Sequence, residues 1–367
     1  MGLNRGWERI SPGEAGRRRA LWLIAAAAGA ALIAGALCGC AGGSGGAWES
    51  AGAGAKSAGA ADQDGRLKVA ATIFPYYDFI RQIGGDRIRL QLVVPAGMDS
   101  HSFEPTPADM IALEEADVLI CNGGAMEHWV DQVLDSIDTS GTEILTMMDY
   151  VDVVEEELVE GMEDAHAHEE GADPHAGHQH TFDPEDGHAM EIEYDEHIWT
   201  SPVNAAAIVE IISRTLAQAD PENGPYYLEN AAAYTEQLKA LDGRFRQIVD
   251  RGKRRMFVVA DKFPLRYFAD TYGLTYRAAF SGCSTDTEPS ARTIAYLIDQ
   301  VRAEEIPAVY YLELSSHRTA EIIGEETGAK PLLFHSCHNV TRREFDQGVT
   351  YLQLMNQNAA NLEIGLN

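Results

Sequence analysis

Between Gly224 and Arg251 the apolar residues Tyr227, Ala231, Tyr234, Leu238, Leu241, Phe245 and Ile248 recur every three or four positions. That spacing predicts an amphipathic helix with one continuous buried face, longer than an ordinary connection between elements. On either side of it, short apolar runs alternate with helical patterns. Leu67–Thr72, Ile88–Val94 and Asp117–Cys121 read as strands before it, with Pro75–Ile83 as a helix. Met256–Ala260, Thr275–Ala279, Val309–Leu312 and Pro331–Phe334 read as strands after it, and Arg342–Leu362 closes the chain with one helical pattern. Helix starts are marked by Thr106-Pro107 with Asp109, by Ser201-Pro202, and by Glu288-Pro289-Ser290. Strands alternating with helices imply parallel sheets covered on both faces. The expected fold class is therefore α/β: two lobes, each a parallel-type sheet flanked by helices, joined by one long backbone helix. The lobes span 66–220 and 253–367, and the joining helix 221–252.

A second feature sits inside the first lobe. From Glu155 to Glu196 there is no Lys or Arg, yet the stretch carries His166, His168, His175, His178, His180 and His188. Neutral imidazole is the commonest metal ligand, and surrounding carboxylates concentrate divalent cations. So polar a tract cannot bury enough surface to fold alone. Residues 155–194 therefore read as an acidic, histidine-rich metal-collecting loop, with a disordered insert of incidental histidines as the alternative. The whole chain has a formal net charge of −29, which disfavours nucleic acid and anionic surfaces as partners and favours cations.

The first 39 residues describe an export signal: Arg17, Arg18 and Arg19, an apolar run Ala20–Leu37, then Leu37-Cys38-Gly39-Cys40. The last four residues resemble a bacterial lipobox, which would make Cys40 the lipidated first residue of the mature protein; a single membrane-spanning anchor is the alternative. A Gly/Ala/Ser tether, 40–65, follows. The expected location is extracytoplasmic, lipid-anchored to a bacterial cell membrane. Among the remaining cysteines, Cys283 with Cys337 is the more plausible disulfide in an exported protein.

Single histidines stand where chemistry is expected. His101 follows a strand and Pro95-Ala96-Gly97, His197 precedes the Ser201-Pro202 helix start, and His335 and His338 follow the strand Leu332–Phe334. Loops at the carboxyl ends of parallel strands are where α/β folds bind ligands. His128 and His317 read as surface or helix residues. The segments Pro95–Pro107, Ala116–Trp129 and Asp195–Ala205, with Tyr267-Phe268, Tyr272-Gly273-Leu274 and Glu288-Pro289-Ser290, resemble the zinc and manganese substrate-binding lipoproteins of bacterial ABC importers, the cluster A-I family. The resemblance runs from about Leu67 to the C-terminus. It implies a metal held in the cleft between the lobes, with His101 and His197 as ligands from the first lobe.

The second lobe departs from that family's pattern. The family commonly carries a His or Glu five positions before the Tyr-Phe pair, and here that position is Lys262. An ammonium has no lone pair and repels a cation. The family's last ligand, an acid after the final strand, aligns approximately with His335, so the resemblance implies His101, His197 and His335, completed by water, Asp261 or a loop histidine, with His338 serving in place of His335 if that alignment slips. Three imidazoles favour Zn2+ over Mn2+, which prefers an oxygen-rich shell. The expectation is a monomeric, non-enzymatic binding protein that captures zinc and delivers it to an ABC import permease. A metal-binding adhesin or zinc-storage lipoprotein is the alternative. A zinc hydrolase is less favoured, since the chain has no His-Glu-x-x-His helix and no nucleophile elbow.

Overall fold

The strands pair into two separate sheets of identical topology. In this computed structural model, which describes residues 65–162, 194–282, 284 and 288–367, the first sheet contains β1 (Leu67–Ala71), β2 (Ile88–Leu92), β3 (Val118–Cys121) and β4 (Glu143–Thr146). Between them run α1 (Phe74–Gly84), α2 (Pro107–Glu114) and α3 (His128–Leu134). The sheet order is β2-β1-β3-β4, every pair parallel. Helices α4 (Pro202–Ala219) and α5 (Gly224–Arg251) then lead to the second lobe. Its strands are β5 (Met256–Val259), β6 (Thr275–Ala278), β7 (Ala308–Tyr311) and β8 (Lys330–Leu333), in the order β6-β5-β7-β8, again all parallel. Its helices are α6 (Arg266–Tyr272), α7 (Ala291–Ala303), α8 (Arg318–Thr327), α9 (Arg342–Asp346) and α10 (Tyr351–Leu366).

The order of each sheet turns back beside its first strand, which opens a crevice at the carboxyl ends of β1 and β3 and of β5 and β7. The loops carrying His101, Asp261 and His338 leave the carboxyl ends of β2, β5 and β8, and His197 lies just before α4. The export signal, Cys40, nearly all of the tether, Cys283 and the histidines from His166 to His188 fall outside the described residues.

Helix α5 buries Tyr227, Ala231, Tyr234, Leu238, Leu241, Phe245 and Ile248 in a core that takes side chains from both lobes. Each large side chain on that face contributes roughly 1.5–3 kcal/mol by leaving water. Asp220 closes the turn from α4 by accepting from Asn223 Nδ2 (2.8 Å) and Tyr227 Oη (2.7 Å). The lobes are also braced directly. Buried Asp78 of α1 accepts from Arg81 (2.6 Å) and from the Tyr351 backbone N–H (2.7 Å), and Arg81 donates to the Val349 carbonyl (2.6 Å).

Two readings need correction. Strand β4 was not among those read from the sequence: it is short, and only Leu145 of its four residues is buried. The closing segment is two helices, because Gly348 takes a positive φ of 70° and Thr341 and Thr350 each start a helix with a capping box. Cys337 is buried in the shared core, where burial pushes its pKa well up. Its expected partner, Cys283, lies outside the described residues.

Candidate metal centre

Two histidines of the first lobe are oriented by the same local device. The Asp99 carboxylate accepts from the backbone N–H of His101 (2.9 Å) and pairs with its Nδ1 (3.0 Å). The Asp195 carboxylate does the same for His197, at 2.8 Å and 3.2 Å. Each is an Asx turn that also grips the ring, which fixes a proton on Nδ1 and leaves the Nε2 lone pair to point outward. A carboxylate behind a histidine is the arrangement that orients imidazole for a metal and raises its basicity. His101 Nε2 is buried and without a hydrogen-bond partner among the described residues, as an imidazole awaiting a ligand would be.

The backbone that carries His197 is held by a second set of buried groups. Glu196 accepts from the backbone N–H groups of Ala125 and Met126, the latter at 2.8 Å. Asn122 donates to the Glu196 carbonyl (3.0 Å), and Tyr76 donates to Asn122. Glu127 accepts from the N–H groups of Asn122 (2.7 Å) and Gly123 (3.0 Å), and burial pushes its carboxyl up to about 7. Gly124, at φ 82°, cannot be anything larger: a Cβ there would lie 2.3 Å from the Glu196 carboxylate.

The third imidazole of the cleft is His338. Its ring centroid lies 6.1 Å from that of His101 and 5.9 Å from that of His197. Its backbone N–H donates to Ser336 Oγ (3.2 Å), and Ser336 is in turn gripped through its N–H (2.7 Å) and hydroxyl by Glu313. Ser100 Oγ lies 2.7 Å from His338 Nε2, joining the two lobes across the cleft. Three rings on one tetrahedral zinc would have centroids about 5 Å apart, given Zn–N near 2.1 Å. His338 therefore stands about 1 Å further from each of the other two rings than that, and no group of three ligands is in coordinating position among the described residues.

His335, the expected third ligand, is buried. It does not line the cleft. Its Nδ1 accepts from the Cys337 N–H (2.9 Å) and lies 3.5 Å from a Glu313 carboxylate oxygen, while its Nε2, like that of His101, is buried without a hydrogen-bond partner among the described residues. Asn358 of α10 holds its backbone in place from both sides, accepting from His335 N–H and donating to its carbonyl, each at 2.7 Å. Asp261 lines the cleft, but its carboxylate accepts from the Lys262 N–H (2.8 Å), and burial raises its pKa. His317 caps α8 and stacks on Tyr311 at 4.1 Å, and His128 is exposed at the start of α3.

Electrostatics separate the three imidazoles. For His197, burial works against the charged form, but the Asp195 carboxylate more than offsets it and the pKa is raised. For His338, burial in the cleft and the positive potential of His197 and His101 hold the ring neutral, with its pKa lowered. Asp99 is held well below the usual carboxylate range, chiefly by its hydrogen bond to His101. Sequence reading missed Asp99 and Asp195. The signal was present as a repeated spacing: Asp99-Ser100-His101, Asp195-Glu196-His197 and Ser336-Cys337-His338 each put an acceptor two residues before the histidine. Replacing Asp195 with Asn keeps the shape and removes the charge. Zinc affinity, measured by competition with a chromophoric chelator, is expected to fall about 10- to 100-fold. A loss below threefold would mean that the carboxylate does not act through His197.

The cleft itself is a cavity of about 390 Å³ whose walls include His101, His197, His338, Asp261, Lys262 and Glu288. Residues 69–365 match the ZnuA family, described as the periplasmic zinc-uptake complex component A. The chain is 32% identical over 297 residues to the zinc-binding lipoprotein AdcA of Streptococcus pneumoniae, covering 80% of this chain and 55% of that protein. It is 30% identical over 301 residues to the high-affinity zinc uptake system protein ZnuA of Bacillus subtilis, covering 82% of this chain and 88% of that one. Among solved structures, the Zn(II)-bound ZnuA-like domain of pneumococcal AdcA superposes with a TM-score of 0.64 at 27% identity, over 82% of this chain and 99% of that domain. The chain spans about half the length of the pneumococcal relative.

Proposed function

We propose, for a chain that belongs to the ZnuA family of zinc-uptake components, that it captures Zn2+ outside the cytoplasm and hands it to an ABC-type import permease. The observation that carries this reading is the convergence of His101, His197 and His338 on one interlobe cleft, with a carboxylate behind two of the three rings. Three nitrogen donors suit zinc better than manganese. No bond needs to be broken, and each residue is assigned to binding.

Lipidation of Cys40 would tether the body near the permease. The histidine-rich tract would act as a collector, because its stems are joined by the Glu155–Tyr194 bridge and Tyr267 ties them to the second lobe. Val154 N–H donates to Tyr267 Oη (3.2 Å), which donates to the Asp195 carbonyl (2.7 Å). The tract therefore starts and ends two residues or so from the His197 ligand loop.

Calorimetric titration of the full chain with Zn2+ tests this reading. One tight site per chain is expected, with weaker sites beside it. His197 holds its proton more tightly than ordinary imidazole does, so proton competition begins above the usual histidine range. As pH falls through the raised His197 pKa, affinity drops about tenfold per unit for each proton displaced. His338, already neutral there, releases none. The slope should stay below the three protons that three ordinary imidazoles would release. A flat profile down to acid pH would refute coordination by imidazole, and normal zinc uptake by a deletion strain at limiting zinc would refute the importer role.

A further inference from the structure

The two loops that face each other across the cleft differ in how firmly they are held. Residues 335–340, which carry His338, sit on a fixed platform. Cys337 and Val340 are buried in the shared core, Asn358 clamps the His335 backbone, and the Ser336 carbonyl accepts from Trp199. The opposite turn, Pro95 to Met98, leads directly into the Asp99 that orients His101, and Pro95, Gly97, Met98 and Asp99 are all exposed. A backbone bond from the Met98 N–H to the Pro95 carbonyl (3.1 Å) closes it, with Gly97 at φ 87°. So exposed a turn has little packing of its own to hold a ligand in place.

Asn339 reaches across to that turn. Its Nδ2 donates to the Pro95 carbonyl (3.0 Å) and to the Met98 carbonyl (2.6 Å), and its Oδ1 accepts from the Val340 backbone N–H (2.7 Å). Both amide hydrogens and the oxygen are therefore in use, and the residue is buried. Asp lacks the donors and Gln is one carbon longer, so neither reproduces this set. The other bond between the loops, Ser100 Oγ with His338 Nε2 (2.7 Å), occupies an imidazole nitrogen, the kind of atom for which zinc competes. The Asn339 bonds use no metal donor, so metal binding need not break them.

We propose that Asn339 is a positioning residue of the metal site: by gripping the Pro95–Met98 turn from the His338 loop, it sets the spacing between His101 and His338. This rests on the ligand assignment made above. Asn339 acts through the turn, since holding the turn holds Asp99, and Asp99 in turn holds the His101 backbone and ring. One carboxamide beside His338 thus places a ligand of the opposite lobe. The turn is ordered when the chain folds rather than when zinc arrives, and binding does not have to supply that order.

A double-mutant cycle on the full chain, with zinc affinity read by chelator competition, tests this. Asn339→Ala should weaken binding about 10- to 100-fold when His101 is present, as removing an outer partner of a ligand does. In the His101→Ala background the same change should cost less than about threefold, because the ligand it positions is gone. A residue with only a structural role would lose the same factor in both backgrounds, and that result overturns the proposal. Asn339→Asp should lose affinity as Asn339→Ala does. Tighter binding by Asn339→Asp would mean that the position acts by charge in the cleft wall, and overturns the proposal too. Gly97→Ala reaches the same turn from the first lobe. Its Cβ would meet nothing nearer than 3.9 Å, so the substitution strains only the backbone at φ 87°. It should match Asn339→Ala in zinc affinity and, combined with it, add less than about threefold. Gly97→Ala carries the test by itself if circular dichroism shows Asn339→Ala to be unfolded, and unaltered affinity in it overturns the proposal. The underlying site fails separately: tight zinc retained by His101→Ala would overturn the ligand assignment. Loss there with full affinity in Asn339→Ala overturns the positioning role alone.

Discussion

Replacing His338 with Ala should weaken zinc binding by more than about 100-fold, beyond the range expected for removing an outer partner of a ligand. Replacing His335 with Asn should change it by less than about threefold, within the range of ordinary surface effects. The two histidines are three residues apart in one loop, and their surroundings are opposite. His338 lines the cleft, lies about 6 Å from both first-lobe imidazoles, and is kept neutral. His335 is buried behind the loop, and its Nδ1 serves the Cys337 N–H. The Asn side-chain oxygen can take over that acceptor role, so the variant isolates coordination from folding. Chelator competition on both variants reads the difference. Equal losses, or the reverse order, would return His335 to the coordination sphere.

What made that choice illegible in the sequence is tertiary. The His335–Asn339 run offers two imidazoles after one strand, and spacing cannot say which faces the cleft. The choice is made by Asn358, on a helix 23 residues further on, which clamps the His335 backbone, and by Glu313, 23 residues earlier, which clamps Ser336. His101 and His197 were easier to find, because each follows or precedes a marked element and needs only its own Asp two residues before it. The long helix was legible for a similar reason: the seven apolar residues from Tyr227 to Ile248 all occupy one buried face, so local periodicity and tertiary burial agree. Periodicity failed where burial is slight, as in β4, and where a backbone conformation decides, as at Gly348. Lys262 was legible as a departure from a pattern, and it lines the cleft.

Replacing Trp199 with Ala should destabilise the protein by about 3–5 kcal/mol, the range for losing a fully buried large aromatic. The residue is 0% exposed and lies where the two lobes meet. Its Nε1 donates to the Ser336 carbonyl of the second lobe (2.9 Å), and its own carbonyl accepts from Tyr351 Oη (2.8 Å). Its ring meets Tyr76 edge-on at 6.1 Å and touches both His197 and His338, each with centroids 5.4 Å apart. Zinc affinity should therefore fall together with stability, because one side chain supports a ligand from each lobe. Trp199→Phe separates the two effects. It keeps most of the packing but leaves the Ser336 carbonyl without its donor, which costs about 1–3 kcal/mol. That carbonyl belongs to the residue that positions the His338 backbone. The Phe variant should thus lose zinc affinity out of proportion to its stability, as read by urea unfolding of the metal-free protein beside chelator competition. If Trp199→Ala leaves the unfolding midpoint unchanged, the lobes are not held together there. A Phe variant with unaltered affinity would mean that the Ser336 loop keeps His338 in place without help from the first lobe.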